Sequence, residues 1–405
     1  MFHYDRSVRN MSESPESPIQ RLHSGPVRVG VVCTGGGVQA LAMLLSVPGG
    51  SRTVLEAVVP YCRRAVIRYL GAPPDRFCAE PTARSLAMAA FFRALDLHRE
   101  EAETESPAAE NDIPVAGVSC TASLATDRPK RGPHRVHVAA QSAGATVSWS
   151  LELTKGKRSR AEEEEIAAHM ILNAIAEVKD TSVEFPLPLL PGEAVMTHRA
   201  EAPPAWRQLL LGETDAVRLG VPADWTASAP PAIFPGAFNP LHAGHQKMAE
   251  IAEKILGVPV EFEISILNVD KPPLDYAELR RRSAQFSVEE SVWLTRAPTF
   301  EEKSRRFPGA VFVVGADTIR RIADLRYYRN DIAARDAAIA RIIHRGCRFL
   351  VFARCVEGRC LELDDLELPP ALRAVCQGVP REQFREDVSS SDLRTGKLDS
   401  PEFLD

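Results

Sequence analysis

Apolar residues recur along this chain in two periods, and each change of period marks an element. Val27, Val29, Val31 and Val32 predict a strand that enters Cys33-Thr34-Gly35-Gly36-Gly37, and an apolar helix follows over 38–45. A strand is expected over 54–59 and a helix over 61–70, closed by Gly71. Leu86, Ala89, Ala90 and Arg93 keep helical spacing within 82–97, and an acidic surface loop is expected over 100–112. Strands follow at 115–118, 136–141 and 146–153. A last helix over 162–177 turns Ile166, Met170, Ile171 and Ala174 inward.

From 182 to 231 prolines interrupt every period, yet Leu187, Leu189, Leu190 and 209–211 are too apolar for a solvated tether. Residues 206–211 could pack as a short helix. A second periodic region opens at Ala232. Ile233 and Phe234 form a short strand ended by Pro235-Gly236. Met248, Ile251, Ala252, Ile255 and Leu256 then mark an amphipathic helix that Gly257 stops. Val260, Phe262, Ile264 and Ile266 alternate with Glu261, Glu263 and Ser265, which predicts a strand with one polar face. Asp275 caps a helix carrying Arg280, Arg281 and Arg282, which read mostly as a solvated face with one arginine turned inward. Strands at 292–294, 311–314 and 349–352 and a helix at 331–344 complete the pattern. The expected fold is α/β, in two domains at 26–180 and 232–405, with a docked proline-rich linker over 181–231 and a disordered leader over 1–25. Strands alternating with helices predict a Rossmann-like, mostly parallel sheet in the second domain, with ligands at the strands' carboxyl ends.

Composition narrows the class. A chain of 405 residues with 45% hydrophobic and 25% charged residues suits two or three globular domains. The net charge of -5 argues against a nucleic-acid or anionic-membrane partner, and no apolar run is long enough to span a bilayer. No signal-peptide core is evident, so a cytoplasmic location is expected. The 8 cysteines are scattered without metal-ligand spacing and read as reduced, mostly buried thiols. No metal ligands are assigned, and homo-oligomerisation is left open.

The chemistry concentrates in Ala232-Ile-Phe-Pro-Gly-Ala-Phe-Asn-Pro-Leu-His-Ala-Gly-His245. A strand, a glycine turn and a helix N-terminus present free N–H groups and the positive end of a helix dipole, which together favour an anion. His242 and His245, three residues apart, share a face of the helix's first turn, and phosphate is the obvious anion.

GAFNPLHAGH, followed late in the chain by Ser389-Ser390-Ser391-Asp392-Leu393-Arg394, resembles the nucleotidyltransferase superfamily in its nicotinamide/nicotinate mononucleotide adenylyltransferase branch. The resemblance spans about residues 232–396. It implies that backbone around Gly236, Ala237 and Phe238, with Asn239 and Gly244 beside it, cradles phosphate. It also implies that His242 and His245 contact the triphosphate of ATP, and that Ser389, Ser390 and Arg394 hold its outer phosphates. Ser391 stands where the family has Thr, and Leu393 where it has Ile. Alone, the serine run would be an ordinary helix cap. Val313-Val-Gly-Ala-Asp-Thr318 resembles the family's GxD segment, which brings Gly315 and Asp317 to the nucleotides. Asn268-Val-Asp-Lys-Pro-Pro273 resembles the loop that sets Lys271 near a phosphate. Tyr327 and Tyr328 stand where the family often stacks an aromatic on the pyridine ring, but the usual Trp is missing, so packing is expected of them.

In nucleotidyl transfer an anionic acceptor phosphate attacks the α-phosphorus, so no activated serine or cysteine is needed, and positioning and charge must supply the rate. Two imidazoles can donate to the developing oxyanions, and protonation near neutral pH would add charge. Arg394 suits forked phosphate contacts. Mg²⁺ held by phosphates and water would neutralise the leaving group. The implied partners are ATP and a mononucleotide, and the product pair is the dinucleotide and pyrophosphate. Rival readings are a CTP- or phosphopantetheine-type transferase of the same fold and a non-catalytic nucleotide-binding scaffold.

Residues 27–177, with the Cys33-Thr-Gly-Gly turn, Val47-Pro-Gly and the tyrosine-containing helix start, resemble the C-terminal domain of the CinA (competence/damage-inducible) family, which includes nicotinamide mononucleotide amidohydrolases. That family's serine nucleophile precedes the turn, where this chain has Val32. Val66 takes the place of its lysine. The later glycine-rich loop reads Ser119-Cys-Thr-Ala-Ser-Leu124. A valine can neither attack an amide nor move a proton, so no deamidase activity is expected unless Cys33 substitutes. Nucleotide binding at Gly35, Gly36 and Gly37, or a role in assembly, remains open to this domain.

Overall fold

Ser17 caps helix α1 (Pro18–Ser24) in a reciprocal pair with Gln20. The leader expected over 1–25 is therefore helical at its end. The cause is burial: Ile19 and Leu22 enter the first core, and His23 bonds through Nδ1 to the Thr53 hydroxyl (2.9 Å) and through Nε2 to the Leu44 carbonyl (3.0 Å). The computed structural model describes residues 16–105, 115–127, 131–220, 231–269, 273–356 and 359–384. The chain divides into two compact units, residues 1–199 and 200–405.

In the first unit β1 (Arg28–Thr34), α2 (Val38–Ser46), β2 (Val54–Val58), α3 (Arg63–Leu70), α4 (Glu80–Glu105), β3 (Val115–Ser123), β4 (His134–Ser142), β5 (Ala145–Leu153) and α5 (Arg160–Val178) follow the periods, and β6 (Met196–Glu201) is added at the edge. The sheet order is β2-β1-β3-β4-β5-β6. The pairs β1–β2 and β1–β3 are parallel, whereas β3–β4 and β4–β5 are antiparallel. Helix α4 runs to Glu105, through acidic residues expected in a loop. Glu and Ala are good helix formers, and Glu101 is tied to Arg28 at 2.6 Å. Gly117 lets α4 lie against the sheet, because a Cβ there would stand 2.1 Å from the Ala87 carbonyl oxygen. Val183 and Phe185, from the proline-rich stretch, complete the core on the opposite face with α2 and α5.

The second unit begins with α6 (Pro204–Leu211) and β7 (Ala216–Leu219), then β8 (Ala232–Pro235), α7 (Ala243–Leu256), β9 (Val260–Ser265), α8 (Tyr276–Ser283), β10 (Val292–Thr295), α9 (Phe300–Arg306), β11 (Val311–Gly315), α10 (Ala316–Ala323), α11 (Ile332–His344) and β12 (Arg348–Phe352). A small hairpin, β13 (Arg354–Val356) and β14 (Arg359–Leu361), precedes α12 (Pro370–Arg373) and β15 (Cys376–Val379). Sheet order β15-β12-β11-β8-β9-β10-β7 is parallel except at the β10–β7 edge. After the edge strand β7, the chain enters the parallel part at the central β8, builds outward through β9 and β10, then returns to the other side of β8. That reversal is a topological switch point, where open α/β sheets receive ligands. The pairing supports an opening there. β8 follows β9 as far as Pro235↔Glu263, but pairs with β11 only at Ala232↔Val311 and Ile233↔Phe312.

The alternation in β9 has another cause than a solvated face. Glu261 and Glu263 are both buried. Glu261 is paired with Arg218 and accepts from the Trp293 indole N–H (2.8 Å), and Glu263 is paired with Lys303. No described helix is long and apolar enough to cross a membrane.

Candidate functional site

β8 ends at the switch point, and the Gly236 N–H is fixed by the Glu263 carbonyl at 2.9 Å. The next residues fold tightly because Phe238 turns back into the core. Its ring meets Phe234, Phe262 and Phe286 edge-on at 5.4–5.5 Å and His245 at 5.1 Å. This demands φ of +42° at Phe238, and Asn239-Pro240 is cis. It also demands glycine at 236, since a Cβ there would lie 2.5 Å from the Phe238 ring. Four neighbouring rings prevent that ring from swinging aside. Gly236→Ala is expected to cost about 1–3 kcal/mol of stability in the second unit, the usual penalty of overpacking. Denaturant titration with hydrogen exchange on the β8 peptide measures this, and an unchanged midpoint would show that the ring can yield.

His242 is the N-cap of α7 and His245 lies in its first turn. The two imidazoles stack at 3.7 Å, and His245 Nδ1 accepts the His242 N–H at 3.3 Å. An accepting Nδ1 leaves the neutral ring's proton on Nε2, so His245 offers Nε2–H as a donor. Burial, then the neighbouring His242 and Arg354, pulls its pKa down to about 3. His245 therefore acts at neutral pH as an uncharged donor, and the charge expected from its protonation is not available. The dipole of the 14-residue helix α7 points its positive end into the same space.

Helix α8 grips this loop. Arg282 donates to the Ala237 carbonyl (2.9 Å), and Gln285, just beyond the helix, donates to the Phe238 carbonyl (2.8 Å) and accepts from the Leu241 N–H (2.8 Å). Arg281 donates to the Asn239 side chain, and Glu278 braces both arginines. Arg282 is thus the arginine that turns inward. Arg282 and Gln285 were not singled out among the candidates, because a run of three arginines on a helix looks like a solvated face. Arg354 is also new. It follows the carboxyl end of β12 and acts electrostatically on His245.

Among the other candidates, Gly244 is buried in the first turn of α7. Gly315 and exposed Asp317 stand at the carboxyl end of β11, with the Asp317 carboxyl folded back to 2.7 Å from where a Gly315 Cβ would lie. Tyr328 donates to the Ile322 carbonyl (3.0 Å), and Tyr327 accepts from Arg321 (3.1 Å), so both are engaged locally. Lys271, Ser389, Ser390, Ser391 and Arg394 lie outside the described residues. The last described residue before that serine run, Phe384, packs on Phe352 with Lys247 of α7 6.0 Å from its ring centroid.

Protein atoms pack closely on the Cβ side of the first unit's glycine turn. Added Cβ atoms at Gly35, Gly36 and Gly37 would lie 2.0, 2.6 and 2.4 Å from Ala122, Leu124 and Ile171. The Glu164 carboxylate accepts from the Gln39 N–H (3.2 Å) in the first turn of α2. One N–H of the α2 N-terminus thus has a carboxylate of the protein as its partner. Val32 and Val66 fall into one apolar cluster with Leu70, Leu86 and Ala90. Cys33 is buried, and its thiol is pushed up to about 12 by burial and by Glu164, so it is not a nucleophile in waiting.

No curated protein matches the chain significantly. Among solved structures, competence/damage inducible protein CihA from Agrobacterium tumefaciens is similar at 17% identity over 40% of this chain and 94% of that one, with a TM-score of 0.29, too low to carry an argument. Residues 233–396 match the family described as cytidylyltransferase-like, a match that spans the glycine turn, both histidines and the late serine–arginine segment. The carboxyl-terminal half of the chain therefore carries a cytidylyltransferase-like domain of the nucleotidyltransferase superfamily.

Proposed function

We propose that this domain transfers AMP from ATP to nicotinamide or nicotinate mononucleotide, a step of NAD synthesis in the cytoplasm. An oxygen of the acceptor's phosphate attacks the α-phosphorus, the bond to the bridging oxygen breaks, and pyrophosphate leaves with the electron pair. The observation that carries the reading is the neutral Nε2–H donor of His245, stacked on His242 at the α7 N-terminus beside the switch point. Such a donor stabilises charge developing on phosphate oxygens without first giving up a proton.

Each part has a stated role. Backbone around Gly236, Ala237, Phe238, Asn239 and Gly244 lies along the triphosphate. Lys271, Ser389, Ser390, Ser391 and Arg394 supply its outer contacts, as the resemblance implies. Gly315 and Asp317 face the nucleotides from the end of β11. Among the described residues no group of three or more His, Cys, Asp or Glu is placed to hold a metal. Mg²⁺ carried in by ATP, held by phosphate oxygens and water, would offset the charge of the leaving pyrophosphate. The choice of acceptor rests on the VVGADT and NVDKPP segments. The first unit is proposed to have no deamidase activity, because Val32 and Val66 fill one apolar cluster.

The test is pyrophosphate release by the full chain, with ATP or CTP against nicotinamide mononucleotide, nicotinate mononucleotide and phosphopantetheine. Turnover with ATP and a pyridine mononucleotide is expected. Turnover only with another pair would replace the substrate assignment, and binding of Mg-ATP without any turnover would favour the scaffold reading. Ammonia release from nicotinamide mononucleotide would overturn the reading of the first unit.

A further inference from the structure

The Gln285 side-chain amide bridges the glycine turn. Its nitrogen donates to the Phe238 carbonyl and its oxygen accepts from the Leu241 N–H, both at 2.8 Å. Across a trans peptide, the carbonyl of one residue and the N–H of the next point in opposite directions. Holding the Phe238 carbonyl on α8's side therefore turns the Asn239 N–H away from α8. Arg282, holding the Ala237 carbonyl at 2.9 Å, does the same for the Phe238 N–H. Phe238, at φ +42°, sits in the left-handed region, where an L-residue is strained by about 1–2 kcal/mol. Successive N–H groups around such a residue form concavities that bind anions. The strain persists only where surroundings over-determine it. The ring is fixed by its aromatic box, but the peptide that follows it is held by Gln285.

We propose that Gln285 is a positioning residue for nucleotidyl transfer, holding the Phe238–Asn239 peptide so that its N–H, and not its carbonyl, faces the phosphates. The proposal rests on the reading that this loop receives the triphosphate. Without Gln285 the peptide is free to rotate, and a carbonyl oxygen turned toward the phosphates repels them. The ring of Phe238 stays where it is, so the fold survives.

The test uses the full chain with Gln285→Met, which removes both contacts, and Gln285→Glu, which keeps the acceptor for Leu241 but replaces the donor to Phe238. Both variants are expected to lower kcat by about 100-fold, the scale of an ångström-level misplacement. KM for the acceptor should stay within about three-fold, since no contact to the acceptor is removed. Affinity for inorganic pyrophosphate, measured by calorimetry, should fall at least about ten-fold, and the 236–242 peptide should exchange faster with the urea midpoint unchanged. A Gln285→Glu protein with wild-type kcat and pyrophosphate affinity would overturn the proposal, as would wild-type protein that binds no pyrophosphate. Wild-type protein that binds pyrophosphate but turns over no substrate pair would sink the transfer reading alone, and pyrophosphate affinity would still decide the role of Gln285.

Discussion

His245→Ala is expected to lower kcat for nucleotidyl transfer by about 100- to 1,000-fold, the range found when one preorganised donor to a developing oxyanion is removed. The geometry sets that size. Nε2–H is the only hydrogen this ring has to give while Nδ1 accepts the His242 N–H, and the ring cannot turn without leaving Phe238 at 5.1 Å and His242 at 3.7 Å. His245→Gln, which keeps an amide donor, should recover part of the loss, whereas a purely structural role would make the two variants alike. Steady-state kinetics beside circular dichroism reads the effect, and a folded His245→Ala protein with full activity would refute the assigned role.

The same residue makes a pH prediction of definite sign. Its folded pKa lies near 3, below the ordinary value of 6.5, so the unfolded chain binds more protons between those values. The contribution of His245 to stability is complete above about pH 6.5 and is lost progressively as pH falls toward 3. His245→Gln should flatten that part of the acid dependence. If it leaves the acid slope of the unfolding midpoint unchanged, His245 is not held neutral.

What could be read from residues alone was local. The glycine turn, the two histidines and the helix after them are neighbours in sequence, so their geometry follows from a strand, a turn and a cap. The residues that hold them are distant. Gln285 is 47 positions from Phe238, and Glu164 reaches Gln39 across 125 positions. No period or spacing encodes such contacts. The edge strands β7 and β15 have four residues each, too few to show alternation. In β9 the alternation of Glu261 and Glu263 with apolar residues was visible, but it could not show that Arg218 and Lys303 cover the polar face. The same pattern describes a solvated face and a buried, paired one, and only the partners distinguish them.

Lys303→Met is expected to destabilise the second unit by about 3–5 kcal/mol, the cost of breaking a buried ion pair by removing one partner. Lys303 Nζ donates to both Glu263 oxygens (2.8 and 2.7 Å) and to the Ala297 carbonyl (2.8 Å), and both side chains are buried. Methionine fills the volume but leaves the Glu263 carboxylate with the Thr295 hydroxyl as its remaining partner among those contacts. The pair also bears on the site, because the Glu263 carbonyl holds the Gly236 N–H at 2.9 Å, so a shift of β9 moves the glycine turn. Adding Glu263→Leu removes the stranded charge, and the double variant should regain most of the lost stability, since apolar replacement of a buried pair is often near neutral. Hydrogen exchange on the β9 and α9 peptides through a urea series isolates this unit from the first. A single variant as stable as the double would mean that the carboxylate finds solvent or another partner when Lys303 is gone, and that the pair holds neither the strand nor the turn above it.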